Sequence, residues 1–143
     1  MTRLIECVPN ISEGRDPAVI RQVTAEVETV DGVRLLDVDP GKATNRTVIT
    51  FAGEPEAVIE AAVRVVRKAA ELIDMSKHSG EHPRFGATDV CPLVPIAGVT
   101  MEECAEYAGL VDVQGRVVAD AAGGAVLYGV LGAVLDDGDL ARR

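Results

Sequence analysis

The sequence predicts an α+β fold, an antiparallel sheet with helices packed on one face, and three observations carry that reading. Apolar residues recur at helical spacing in separate stretches, short extended apolar runs lie before, between and after them, and Pro, Gly and Asp cluster at the joints. With 143 residues, 48% of them apolar and 26% charged, the chain can build one core of its own. No stretch approaches the roughly 18 uninterrupted apolar residues of a membrane helix, and Met1 to Glu6 lacks a signal-peptide apolar region. The expectation is a cytoplasmic protein with no membrane partner.

Leu4 to Val8 reads as a first strand, ended by Pro9-Asn10. Asp16-Pro17 starts a helix, because Asp accepts from free amides and Pro has none to leave unpaired at the first position. Ile20, Val23, Val27 and Val30 hold its apolar stripe, and Gly32 is expected to end it. Val33 to Val38 and Thr47 to Phe51 then form a hairpin around the turn-rich stretch Asp39 to Asn45.

A second helix opens near Pro55 and carries Val58, Ala62, Val65, Ala69 and Ile73, with Glu60 and Arg64 paired outside. Lys77 to Gly86, with two Gly and a Pro, reads as a loop, and Ala87 to Ile96 as extended chain whose Pro92 and Pro95 imply an edge or a bulge. Thr100-Met101-Glu102-Glu103 is a capping box for a third helix, which Gly109 and Gly115 weaken. Gly123-Gly124 ends it before a candidate last strand, Ala125 to Tyr128, and the tail Asp136 to Asp139 is expected to be loose. The β-α-β-β-α-β order of residues 3–96 is that of a ferredoxin-like two-layer sandwich, here with an additional C-terminal helix and strand.

Charge narrows the partners. Against 14 basic residues stand 23 acidic ones, for a net charge of −9, and with no Trp and two each of Phe and Tyr there is little for bases to stack on. Nucleic-acid binding is therefore not expected. Cys7, Cys91 and Cys104 are odd in number, far apart and free of any C-x-x-C, so all three are expected as reduced, buried thiols. No glycine-rich phosphate loop and no nucleophile elbow is present.

Function has to come from the polar loops, Asn10 to Arg15, Asp37 to Arg46 and Lys77 to Asp89. His82 lies where no helix can absorb it, and a neutral imidazole can take a proton at working pH. The same residue also reads as a surface histidine. His78 and His82 are four apart, but Gly80 and Pro83 break the helix that would align them and no third ligand is near, so no metal is expected. Asp37 and Asp39 point to the same side of a strand end; one of them could orient the histidine ring, or both are exposed turn residues. Arg15, Lys42, Arg46, Lys77 and Arg84 concentrate positive charge in these loops, as solvated surface or as forked partners for a carboxylate-bearing substrate.

Three motifs, Glu6 to Arg15, then Leu36 to Pro40 with Asn45 to Thr47, then Gly80 to Pro92, together resemble one family over residues 3 to 107. The chain is similar to the N-terminal subdomain of glutamate formimidoyltransferase. That resemblance implies transfer of a formimino group from N-formimino-L-glutamate to tetrahydrofolate as co-substrate, releasing glutamate, in histidine breakdown, without a metal. The family's catalytic histidine falls on His82, with Asp39 as its candidate carboxylate partner and Asn10, Arg15, Arg46 and Arg84 as candidate substrate-binding residues. A full enzyme of this kind has a second subdomain, so residues 1–143 are expected to be one subdomain with its C-terminal counterpart absent. Association as a homo-oligomer or with such a counterpart is expected in either of two roles: a split enzyme, or a non-catalytic folate- or glutamyl-binding or assembly module.

Overall fold

The structure, a computed structural model, describes residues 2–75 and 86–121. Its elements in chain order are β1 (Leu4–Cys7), β2 (Asn10–Ile11), α1 (Pro17–Glu28), β3 (Val33–Gly41), β4 (Arg46–Gly53), α2 (Pro55–Leu72), β5 (Thr88–Val90), β6 (Leu93–Ala97) and α3 (Met101–Ala121). Every pairing among the described strands is antiparallel, so the expected class, an antiparallel sheet with helices, is the one found. The candidate strand Ala125 to Tyr128, the Gly123-Gly124 stop, the tail and the loop residues 76–85 lie outside the described residues.

Local chemistry fixes the helices. Asp16 Oδ1 accepts from the Ala18 amide at 2.9 Å at the head of α1, and Ile20, Val23, Thr24 and Val27 are buried. The helix stops at Glu28, one turn before Gly32, and Val30 packs against the core from the turn beyond rather than from the helix stripe. In α2 all of Val58, Ala62, Val65 and Ala69 are buried, joined by Ile59, Ala61, Val66 and Ala70. That wider apolar face follows from its central place, packed against both α1 and α3. The outer pair Arg64–Glu60 closes at 2.8 Å.

At the head of α3 the capping box is reciprocal. Thr100 Oγ1 accepts from the Glu103 amide and Glu103 Oε1 from the Thr100 amide, both at 3.1 Å. The Thr100 amide and hydroxyl, with the Arg3 guanidinium, hold the Glu103 carboxyl below its ordinary range. Arg3 Nη2 also donates to Glu103 Oε2 at 2.6 Å and to Tyr107 Oη at 3.0 Å, tying the start of the sheet to α3. Thr100→Ala is expected to cost about 1 kcal/mol, read as a lowered urea midpoint of unfolding with an unchanged slope.

In the sheet, β4 is flanked on one side by β3 and on the other by β1 and β2, which in turn pair with β6 and β5. Alternation along β4 separates two faces: Thr47, Ile49, Phe51 and Gly53 are buried under the helices, while Arg46, Val48, Thr50 and Ala52 on the other face are half-buried. Ile5, Cys7, Ile11 and Leu93 join the first set in a single core with Val23, Val58, Val65 and Cys104.

Register shifts mark where that alternation is broken. Leu35 pairs with Phe51 and Asp37 with Thr50, so Leu36 is an extra residue; the pairings Asn10–Val90 and Ile11–Thr88 make Asp89 another, and Leu4–Ala97 with Ile5–Pro95 makes Ile96 a third. Leu36 and Ile96, 54% and 51% exposed, are the large apolar residues such bulges turn outward. The bulge at Leu36 has a second effect. Val33 and Leu35 face the core before it and Val38 after it, so Asp37 and Asp39 go to the open face instead of into the core.

The hairpin differs from expectation in one respect: β3 runs through Asp39 and Pro40 to Gly41, leaving a turn of Lys42 to Asn45. Pro40 fits because β3 pairs only with β4 among the described strands and needs no donor on its outer edge. The expected irregularity at Pro92 and Pro95 is present, as the break between β5 and β6 and the bulge at Ile96. All three cysteines are free and buried, as expected. Cys7 Sγ lies 3.6 Å from Cys91 Sγ, and burial pushes the Cys7 thiol well above its ordinary range, so it stays protonated and packs as a small apolar group.

Candidate functional site

The three motif segments meet at one end of the sheet through buried backbone contacts. Ser12 donates its amide to Ala87 O at 2.9 Å and its hydroxyl to Gly86 O at 2.6 Å. The Gly14 amide donates to Asn45 Oδ1 at 2.9 Å, and Thr47 Oγ1 donates to Glu13 O. Asn45 holds a left-handed backbone, φ 52°, which Asn tolerates better than most residues and which turns the hairpin tip toward Gly14. Glu13 Oε2 accepts from the amides of Arg15 and Asp16, at 3.0 and 3.2 Å, just ahead of α1. Ser12, Glu13, Asn45 and Thr47 are all buried, so these bonds replace water that could not reach them.

On the open face beside this junction is a cavity of about 210 Å³ lined by Asn10, Asp39, Gly41, Thr44, Arg46 and Val48. Sheet register explains its composition. Val48 pairs with Asp39 on one side and with Asn10 on the other, making one row across three strands, and Gly41 pairs with Arg46 one step along. Arg46 Nη2 lies 3.0 Å from Asp89 Oδ2 and donates to Asn10 Oδ1 at 3.1 Å. Asn10 Nδ2 donates to Val8 O at 3.1 Å, which fixes the amide that receives Arg46. The Arg46 and Asp89 side chains are 13% and 5% exposed, so solvent screens this ion pair little.

Three of the residues expected from sequence, Asn10, Asp39 and Arg46, are thus brought into one cavity. All three belong to strands: Asp39 near the end of β3, in keeping with the strand-end expectation, and Asn10 and Arg46 at the starts of β2 and β4 rather than in polar loops. Arg15 does not line the cavity; its Nε donates to Lys42 O at 2.8 Å, bracing the adjacent turn. His82 and Arg84 lie outside the described residues. Asp89 was given no role in the sequence, where nothing distinguishes it from other acidic residues; the bulge that aims it at Arg46 is a property of strand pairing. Among the described residues no group of three or more His, Cys, Asp or Glu is placed to hold a metal ion, and His78 and His82 are outside that set.

Chemically, the cavity offers one clamped guanidinium, one carboxylate and an amide on a rigid sheet, a setting that can hold and orient a small polar group. Residues 4–128 match the family model described as the formiminotransferase domain, N-terminal subdomain. Among similar proteins, the formimidoyltransferase-cyclodeaminase of Mus musculus is 57% identical over 104 residues, covering 73% of this chain and 19% of that protein. The glutamate formimidoyltransferase of Streptococcus pyogenes serotype M1 is 49% identical over 106 residues, covering 74% of this chain and 36% of that protein. The glutamate formimidoyltransferase of Thermoplasma acidophilum is 47% identical over 105 residues, again 73% of this chain and 35% of that protein. The chain therefore spans between a fifth and about a third of the relatives it matches. By the match over residues 4–128, the chain belongs to the formiminotransferase family, as an N-terminal subdomain.

Proposed function

We propose that this chain contributes one wall of a glutamate formimidoyltransferase site, where the formimino group of N-formimino-L-glutamate passes to tetrahydrofolate and glutamate leaves. The observation that carries the reading is that two of the family-like motifs line a single cavity with Asn10, Asp39 and Arg46, while the third braces it through Asp89, paired with Arg46. The names of the Streptococcus and Thermoplasma relatives support formimidoyl transfer, and tetrahydrofolate as the acceptor rests on the family resemblance.

In that reaction an amine nitrogen of tetrahydrofolate attacks the formimino carbon, and the new C–N bond gives a tetrahedral intermediate. His82 takes the proton released by the attacking nitrogen and returns it to the glutamate nitrogen as the old C–N bond breaks, so one imidazole serves as base and then as acid. Arg15 and Arg84 are the proposed partners of the glutamyl carboxylates, offsetting the repulsion of a chain of net charge −9. Arg46, clamped by Asn10 and Asp89, is a fixed part of the wall. The proposed fold is ferredoxin-like: in the pairing β3, β4, β1 with β2, β6 with β5, the strand that follows α2 lies beside the first strand and opposite the hairpin. The free thiols fit a reducing, cytoplasmic setting.

A cavity of about 210 Å³ is smaller than the roughly 300–1,000 Å³ of ordinary small-molecule sites, which favours a further wall beyond the described residues. The test is transfer assayed with formiminoglutamate and tetrahydrofolate, with the chain alone and mixed with the remaining portion of a relative such as the Streptococcus enzyme. Activity on mixing is expected. No activity in any mixture, with folate still bound, would instead identify a non-catalytic binding module.

A further inference from the structure

The charged groups around the cavity do not face a ligand on equal terms. Arg46 Nη2 has two hydrogens, and Asp89 Oδ2 at 3.0 Å and Asn10 Oδ1 at 3.1 Å both stand within reach of it. With Asp89 5% exposed, the pair is neutral as a unit and held where solvent competes little. Asp39 is different. It is exposed, it lines the cavity, and among the described residues no hydrogen bond or ion pair reaches its carboxylate. Among the described residues, the charge this wall offers to a ligand is therefore negative.

We propose that Asp39 is the counter-ion of an amidinium, a planar cation with two nitrogens, seated in this cavity. The inference rests on the formimino-transfer reading and deepens it: a formimino group on an amine nitrogen is an amidine, protonated at neutral pH, and that end of the substrate is the one Asp39 receives. A carboxylate's two oxygens match the paired N–H groups of an amidinium as they match a guanidinium fork. The cavity volume suits a head of three heavy atoms and not a whole folate. Ion pairing with Asp39 keeps the amidine protonated, the form whose carbon is poorer in electrons and more open to attack by an amine. Carboxylates of the same ligand then fall to cations other than Arg46.

The test needs no transfer. Isotope-labelled protein is titrated with formamidinium chloride, with neutral formamide and with sodium acetate at constant ionic strength, and backbone and Asn10 side-chain NMR signals are followed. Formamidinium is expected to shift Asn10, Gly41 and Val48 in a saturable way, with formamide and acetate ineffective at the same concentrations. Asp39→Asn is expected to weaken binding roughly ten- to hundredfold, and Asp37→Asn, on the same face but outside the cavity, to change it less than about twofold. Equal shifts with formamide, saturation by acetate, or unchanged affinity in Asp39→Asn would each overturn the proposal. Selective amidinium binding with no transfer in any mixture would remove the transferase reading and leave the cavity assignment; transfer without such selectivity would do the reverse.

Discussion

Replacing Gly14 by Ala is expected to destabilise the chain by about 3 kcal/mol, because the added methyl has nowhere to go. A Cβ at this position would stand 2.2 Å from Gly41 O, 2.6 Å from Arg46 N and 2.7 Å from Arg46 O. All three are backbone atoms of the β3–β4 hairpin, held by a register that runs from Val33–Gly53 to Gly41–Arg46, so no side chain can swing aside to make room. Relief would have to come from parting the Asn10–Arg15 segment and the hairpin tip, which breaks the Gly14–Asn45 bond at 2.9 Å and pulls Arg46 from Asn10. Urea unfolding measures the loss, and the Asn10 side-chain NMR signal reports whether the cavity opens with it. An informative control is the same change at Gly109 in α3, where a Cβ would meet nothing within 4 Å. There Ala is expected to stabilise by about 0.5–1 kcal/mol through helix propensity, the opposite sign for the same methyl. Unchanged stability of Gly14→Ala would mean that the hairpin tip yields and that motif convergence does not depend on close approach at this glycine.

The contrast between these glycines also marks what the sequence discloses. Features decided within a few residues were legible: the Asp16-Pro17 start of α1, the Thr100–Glu103 capping box and the apolar stripe of α2 depend on local spacing, and each is present. What depends on register was not. A bulge at Leu36 leaves no trace in composition, yet it decides whether Asp39 faces the core or the cavity. Asp39 and Arg46 could be named as candidates because polar residues between apolar runs attract attention, and Asn10 through the family resemblance, but their meeting around Val48 is set by strand pairing. Asp89 shows the same limit: its partner Arg46 is distant in the chain, and only the bulge in β5 aims its carboxylate. Helix α3 runs through Gly109 and Gly115, since burial of Cys104, Ala108 and Val111 against the core outweighs a local propensity cost of about 1 kcal/mol per glycine.

Replacing His82 by Ala, in a chain combined with whatever completes the transferase, is expected to lower turnover roughly 10²–10⁴-fold. The size follows from the chemistry. An amine that has attacked carries a proton it must lose before it stops being the better leaving group, and the glutamate nitrogen must gain a proton before it departs. Without an imidazole both transfers fall to water. Three readings separate this role from a structural one: the Michaelis constants should change much less than turnover, added imidazole should restore part of the rate, and the fall in rate on the acid side should disappear with the side chain. Near-normal turnover in His82→Ala would remove it as the proton carrier. Because Asp39 is assigned to holding the amidinium and His82 to moving protons, His82→Ala should still bind formamidinium as the unsubstituted chain does, whereas Asp39→Asn should not. Loss of amidinium binding in His82→Ala would mean that the two side chains act as one unit and that binding and proton transfer cannot be divided between them.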